Sequence, residues 1–168
     1  SYLEGLNTFK IQDSLEMLAK LKEFVGSADF ISMTAAISDL RRQEGSNESK
    51  LPKEALIESL TNELELVPDL LSQLSSQKKS QQVILGFAAV TGNDKELKVI
   101  GEAKRISKRC DFLMANPIDR KGQGFAENFN GGFLLGPNAM VQEIPVQSKF
   151  ELANKLLDEL LDFKSKIF

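Results

Sequence analysis

The sequence predicts an α/β fold: a three-layer, Rossmann-like, mainly parallel sheet with a C-terminal antiparallel hairpin and a protruding flap. Three observations predict it. Short apolar runs such as Phe30-Ile31-Ser32-Met33 and Val83-Ile84-Leu85 alternate with amphipathic stretches long enough to be crossover helices, which is the pattern of βαβ units. Near the end, Phe133-Leu134-Leu135 and Met140-Val141-Gln142-Glu143-Ile144 flank Gly136-Pro137-Asn138-Ala139, a turn-forming sequence between two strands. From Leu40 to Glu54 the apolar signal nearly vanishes, so a long polar loop interrupts the alternation. Residues 1–168 are read as a single domain, with the flap at roughly 40–67.

Each element has a local cause. Thr8 to Ile11 reads as a short strand. Asp13 then offers an N-cap, with Glu16 completing a capping box. Leu15, Leu18, Leu21, Phe24 and Val25 form the apolar stripe of the helix that follows, and Gly26 ends it. Phe30 to Met33 is the next strand. Glu63-Leu64-Glu65-Leu66-Val67 alternates as a half-exposed strand does. Pro68 suits the first position of a helix and Asp69 its first turn, with Leu70, Leu71 and Leu74 on the buried side.

After the run from Val83, Asn93 or Asp94 caps a helix reaching about Arg109. Leu97, Ile100, Ala103 and Ile106 are its expected core residues, and Gly101 a mild weakness. A strand from Asp111 to Ala115 comes next. Ser148 with Glu151 forms a second capping box, and Phe150, Ala153, Leu156, Leu157, Leu160 and Leu161 give the last helix its apolar face.

Composition narrows the chemistry. The 168 residues are 42% hydrophobic and 27% charged, with a net charge of −3, ordinary for a globular domain and unlike the basic footprint of a nucleic-acid or anionic-membrane binder. No apolar run is long enough to span a bilayer, and a lone cysteine fits a reducing, cytoplasmic setting. Histidine is absent. Serine–histidine and cysteine–histidine catalysis and histidine-ligated zinc are therefore excluded. Cys110, within Cys-Asp-Phe-Leu-Met, reads as a buried thiol.

Gly86-Phe87-Ala88-Ala89 closes an apolar strand in small residues, which let another molecule approach the backbone. Lys104 and Lys108 lie four residues apart on the following helix, and the next strand ends in Ala115-Asn116. Strand ends of this kind hold phosphorylated ligands in open α/β sheets. A bound nucleotide is thus expected, with the lysines and strand tips converging on one polyphosphate pocket. Lysines, carboxylates, amides and backbone N–H groups suit phosphoryl or nucleotidyl transfer, where positioning and charge neutralisation carry most of the reaction. Ordinary readings stand beside these: solvated lysines, Phe87 as core, Asp39 as a turn cap, Asn116 as a strand-end cap. The segment Gly122-Gln123-Gly124-Phe125 reads as a flexible turn. No glycine-rich turn follows any early strand, so either the site is built differently or the chain is the later part of a longer domain.

Several segments in order resemble one family. They are Ala35-Ala36-Ile37-Ser38-Asp39, Lys50-Leu51-Pro52-Lys53, Pro68-Asp69-Leu70-Leu71, Gly86-Phe87-Ala88-Ala89 and Ala115-Asn116, extended by Gly124-Phe125-Ala126-Glu127-Asn128-Phe129-Asn130 and Ser148-Lys149-Phe150-Glu151-Leu152-Ala153. Together, over nearly the whole chain, they are similar to the synthetase part of the bacterial bifunctional coenzyme A biosynthesis flavoprotein, phosphopantothenate–cysteine ligase.

The resemblance implies a CTP- and Mg²⁺-dependent ligase. In it, 4'-phosphopantothenate is activated as an acyl-cytidylate and then joined to cysteine. It also implies a homodimer whose sites are completed by the partner's flap, a fused or separate flavin decarboxylase domain, and no flavin on this segment. By the resemblance, nucleotide contacts map to Met33, Thr34, Ala35, Asp39, Lys50, Pro68, Asp69, Leu70, Leu71, Phe87, Lys104 and Lys108. Lys50 also has the catalytic role, Asn116 the substrate contact, and the metal ligands have no assignment. The family's glycine-rich opening segment would lie upstream of Ser1, so this segment alone is expected to be inactive. Pro52, Val67 and Val90 depart from the family pattern. A non-catalytic nucleotide-binding or dimerisation module derived from the synthetase is the alternative reading, and a dinucleotide oxidoreductase is disfavoured because no Gly-x-Gly-x-x-Gly turn is present.

Overall fold

The computed structural model describes residues 5–43, 53–124 and 126–167. The chain divides into two compact units, residues 1–23 with 35–69 and residues 24–34 with 70–168.

The second unit is built on a five-stranded sheet. Its strands are β1 (Phe30–Met33), β4 (Val83–Val90), β5 (Phe112–Pro117), β6 (Phe129–Leu135) and β7 (Val141–Ser148), in that spatial order. β1, β4 and β5 run parallel, and β6 and β7 form the expected antiparallel hairpin. Helix α3 (Leu70–Gln77) and helix α4 (Asp94–Lys108) are the crossovers, and α5 (Lys149–Ile167) closes the chain. Right-handed crossovers between successive strands place α3 and α4 on one face of the sheet. On the other face, Val83, Leu85, Phe112, Met114, Leu134 and Ile144 form the core with Leu152, Leu156 and Leu160 of α5.

Three devices fix this unit. The buried Gln82 amide donates to Val25 O and Ala28 O, tying the end of α1 (Ser14–Val25) to the start of β4. Asp111 receives the Lys78 ammonium at 2.5 Å and the Ile84 N–H at 2.8 Å, clamping β5 against β4. The Phe163 ring meets Phe112 edge-on at 5.1 Å.

Several boundaries differ from the sequence reading. Gly86 to Ala89 lie inside β4, as read, and the strand runs one residue further to Val90. A side chain at Gly86 would collide with Leu71 Cδ2 at 2.7 Å, so that glycine serves close packing of α3. On α4, Leu97 and Gly101 are buried while Ile100, Ala103 and Ile106 are exposed. Gly101 is the contact point, because a Cβ there would stand 2.9 Å from Ala115 Cβ and closer still to Leu135. Leu152, Leu156 and Leu160 are the buried side of α5, and Phe150, Leu157 and Leu161 face outward. Helix α3 begins two residues after Pro68. Ser148 caps α5 with the expected capping box, and of the two candidates at α4 it is Asn93 that caps, closing a box with Glu96.

In the first unit, Asp13 Oδ1 accepts from the Leu15 and Glu16 N–H groups, capping α1. Thr8 to Ile11 is not a strand. Phe9 and Ile11 are exposed there, without the burial that makes an alternating pattern pay. Leu40–Arg42, expected within a loop, is strand β2, antiparallel to β3 (Leu64–Leu66). A 3₁₀ turn (Lys53–Ala55) and helix α2 (Leu56–Asn62) precede β3. The ribbon is extended by Val67 N–H to Asp39 O and Gln43 N–H to Glu63 O. Arg42–Glu63 and Arg41–Glu65 ion pairs laterally brace it. Residues 40–67 thus contain a ribbon and a helix; the rest of the expected flap lies outside the described residues.

Candidate functional site

The directions of the strands decide which groups meet. β4 and β5 end together at Val90 and Pro117, β1 stops opposite Gly86, four residues short of them, and two antiparallel steps bring the end of β7 to the edge where β4 and β5 end. The starts of α4 and α5 lie there too, since each follows directly on β4 or β7. The rim is tied together: Ile118 N–H reaches Val90 O, Gly92 N–H reaches Asp119 Oδ2 at 2.9 Å, and Arg120 pairs with Asp94 at 2.5 Å.

Helix α4 returns antiparallel to the strands. Its start meets Arg120, its middle at Gly101 lies over Leu113 and Ala115, and Arg105 donates to Cys110 O and Asp111 O at the foot of β5. Lys104 and Lys108 stand roughly 15 and 21 Å along the helix axis from Asp94. They lie level with the beginning of β5 rather than with its end. Lys104 is exposed and Lys108 half-buried.

Phe87 and Asn116 belong to the other face. Phe87 packs against the core beneath α5, opposite Met114 in register, and is half-buried. Asn116 follows Met114 by two positions and pairs with Ala89, so both share that face. The structure therefore does not bring the lysine pair together with Phe87 and Asn116. Leu70 and Leu71 sit with α4, Leu71 lying against Gly86. Met33 is buried at the end of β1 and Thr34 is exposed.

The remaining mapped residues fall in the first unit. Ala35 and Asp39 are exposed, Asp39 just before β2; Pro68 is half-buried and Asp69 exposed. Lys50, like Pro52, lies outside the described residues. Sequence reasoning passed over Asn130 and Gln147, which face each other across β6 and β7 near the rim. Asn130 was visible only as part of a family segment, and Gln147 carries no sequence signal.

Among the described residues, electrostatics supply no activated nucleophile. Burial pushes the Cys110 thiol up to about 11, which keeps it protonated and unreactive at neutral pH. The Arg105 hydrogen bond holds Glu102 below the usual carboxylate range, and Ser148 does the same for Glu151 in its capping box. Among the described residues no group of histidine, cysteine or acidic side chains could hold a metal ion, and no helix is long and apolar enough to cross a membrane. What the arrangement offers is charge neutralisation and hydrogen bonding.

An open, mostly parallel sheet with small and amide residues at its rim defines an α/β domain of the kind that binds ligands outside the carboxyl ends of its strands. More particularly, the chain belongs to the DNA/pantothenate metabolism flavoprotein C-terminal domain family, whose model matches residues 2–163. It is 30% identical over 154 residues to the coenzyme A biosynthesis bifunctional protein CoaBC of Vibrio cholerae, covering 91% of this chain and 37% of that protein. The Bacillus subtilis CoaBC is 25% identical over 158 residues, covering 94% of this chain and 37% of that protein. The chain therefore spans little more than a third of these relatives. In fold it is similar to the crystallised C-terminal domain of a CoaBC protein (TM-score 0.70, 24% identity, 96% of this chain and 73% of that one). It is likewise similar to the DNA/pantothenate metabolism flavoprotein from Streptococcus pneumoniae (TM-score 0.74, 17% identity, 97% and 76%).

Proposed function

We propose that this chain is the synthetase portion of a cytoplasmic coenzyme A biosynthesis enzyme, joining 4'-phosphopantothenate to cysteine at the expense of CTP. The observation that carries the reading is the family match over residues 2–163, supported by relatives that bear the name coenzyme A biosynthesis bifunctional protein.

In the proposed reaction a phosphopantothenate carboxylate oxygen attacks the α-phosphorus of CTP and pyrophosphate leaves. The cysteine amine then attacks the acyl carbon of the cytidylate and CMP leaves. Lys104, Lys108 and Lys50 neutralise the polyphosphate, Asp39 accepts a hydrogen bond from the nucleotide's sugar or base, and residues Met33 to Ala35 and Pro68 to Leu71 line its path. The exposed part of Phe87 offers a stacking edge. The described residues do not fit a protein-held Mg²⁺, and the ion is assigned to the triphosphate. A second copy of the chain, contributing its flap, completes the site, and a flavin decarboxylase domain is the fused partner.

The separation of Lys104 from Phe87 across the sheet favours a second reading, a nucleotide-binding or dimerisation module without catalysis. Titration calorimetry with CTP, ATP and NADPH decides between them. Selective CTP binding, weakened about tenfold or more by Lys104→Ala without a change in melting temperature, supports the ligase reading. Absence of CTP binding supports the module, and NADPH binding would overturn both.

A further inference from the structure

We infer that Asn130 is a modification site, converting without any enzyme to aspartate or isoaspartate by attack of the Gly131 backbone nitrogen on its side-chain carbonyl carbon. This goes beyond the proposed synthetase reading and does not depend on it. Asn130-Gly131 is the one Asn-Gly step in the chain. Asparagine is among the chemically labile residues, and glycine carries no side chain to screen its nitrogen. The structure also shows why glycine stays there. A Cβ at Gly131 would stand 2.8 Å from Ile144 O and 2.9 Å from Val146 N, so the irregular part of β7 passes too close for a larger residue.

Nucleophile and carbonyl are already in contact. The Gly131 N–H donates to Asn130 Oδ1 at 2.9 Å, which brings the nitrogen up against the carboxamide. In a regular strand the N–H lies in the plane of the sheet and the side chain stands out of it, which keeps the two apart. Here the register between β6 and β7 stops at Asn130 and resumes at Gly132, so Gly131 has no rung of its own between those strands. Asn130 is only 8% exposed, yet burial does not prevent a first step whose reacting groups belong to adjacent residues held together. Water enters only in the second step, and the neighbouring Phe129 is open to solvent.

In the first step the Gly131 nitrogen bonds to Asn130 Cγ, the Cγ–Nδ2 bond breaks, and ammonia leaves with the proton that the nitrogen gives up. The five-membered imide so formed holds both Asn130 Cγ and the Asn130 main-chain carbonyl carbon. Water then adds to one of them: opening at Cγ leaves aspartate, and opening at the main-chain carbon leaves isoaspartate. The product meets a demand that asparagine leaves open. Gln147 faces Asn130 in register, and its Nε2 is buried with no hydrogen-bond partner. An aspartate offers that donor an acceptor oxygen in place of an NH₂ group, and a buried donor left unpaired is costly. Lys149, whose N–H bonds Asn128 O, brings a cation to the stretch that gains the negative charge.

The test is peptide mass mapping of the folded 168-residue chain after weeks at mildly alkaline pH, beside a sample unfolded in urea. In the folded sample the peptide carrying Asn130 is expected to gain one mass unit and to separate into aspartate and isoaspartate forms, ahead of every other asparagine. Asn130→Gln, which would have to close a six-membered ring, is expected to lose that change while the remaining asparagines behave as in the parent. In a ¹⁵N spectrum of Asn130→Asp, the Gln147 NH₂ signal is expected to move as it gains an acceptor. Conversion confined to the urea sample, or absent from both, overturns the inference. A Gln147 signal that stays in place in Asn130→Asp overturns the pairing that favours the product.

Discussion

β4 and the β2–β3 ribbon are both β structure, yet they are held by different forces. β4 buries six of its eight residues in a pattern broken only at Phe87 and Ala89. The ribbon buries none of its six, and Leu66 within it is 78% exposed. Removal of apolar surface from water makes one. Ladder hydrogen bonds and the Arg42–Glu63 and Arg41–Glu65 pairs make the other, and exposed ion pairs contribute no more than about 1 kcal/mol each. The ribbon is therefore the part that opens at least cost.

The sharpest way to break this comparison is truncation in each region. Phe112→Ala, in the core between sheet and α5, is expected to lower unfolding free energy by about 3–5 kcal/mol in urea titration. Leu66→Ala should change it by no more than about 0.5 kcal/mol. Equal losses would show that the ribbon is packed as the sheet is. A middle-sized effect is expected at the clamp. Asp111→Asn keeps an acceptor for Ile84 N–H but removes the charge facing Lys78, for a loss of about 1–2 kcal/mol. The corresponding Arg42→Ala in the ribbon should cost less.

The smallest effect concerns acid. Because Glu102 is held below its ordinary 4.5 by Arg105, its contribution to stability is present above that value and is lost as pH falls through the lowered one. Glu102→Gln should therefore flatten the fall of melting temperature in a series from about pH 6 to about pH 3. An unchanged acid slope would remove Glu102 from the account.

Burial explains which elements could be read from the chain. β1, β4, β5, the hairpin and α5 announce themselves as apolar runs or stripes, because a core must be filled. Leu40–Arg42 stays hidden in a charged stretch, because cross-strand pairs of opposite charge hold it rather than buried side chains. Thr8 to Ile11 misleads for the opposite reason, an apolar alternation that the described structure leaves unburied. On α4 the expected stripe ran through Ile100 and Ile106, but close approach at Gly101 turns another face to the sheet. The candidate site was legible in its residue types and its rim, and less so in its sidedness. Parity along β4 already assigns Phe87 to the side of Leu85, and the length of α4 already carries Lys104 away from the strand ends; neither is visible in a motif. Gly132, whose φ of +142° belongs to the left-handed half of backbone space, shows how little a list of segments says about the approach of β6 to β5.

Pro145 sits in β7, the outer strand of the hairpin and the edge of the five-stranded sheet, at the irregularity between Ile144 and Gln147. A proline brings no donor to a ladder. An incoming ribbon that tried to extend the sheet past Val141 and Val146, both open to solvent, would meet a missing rung midway. The last strand thus carries its own stop against runaway edge-to-edge growth into fibres.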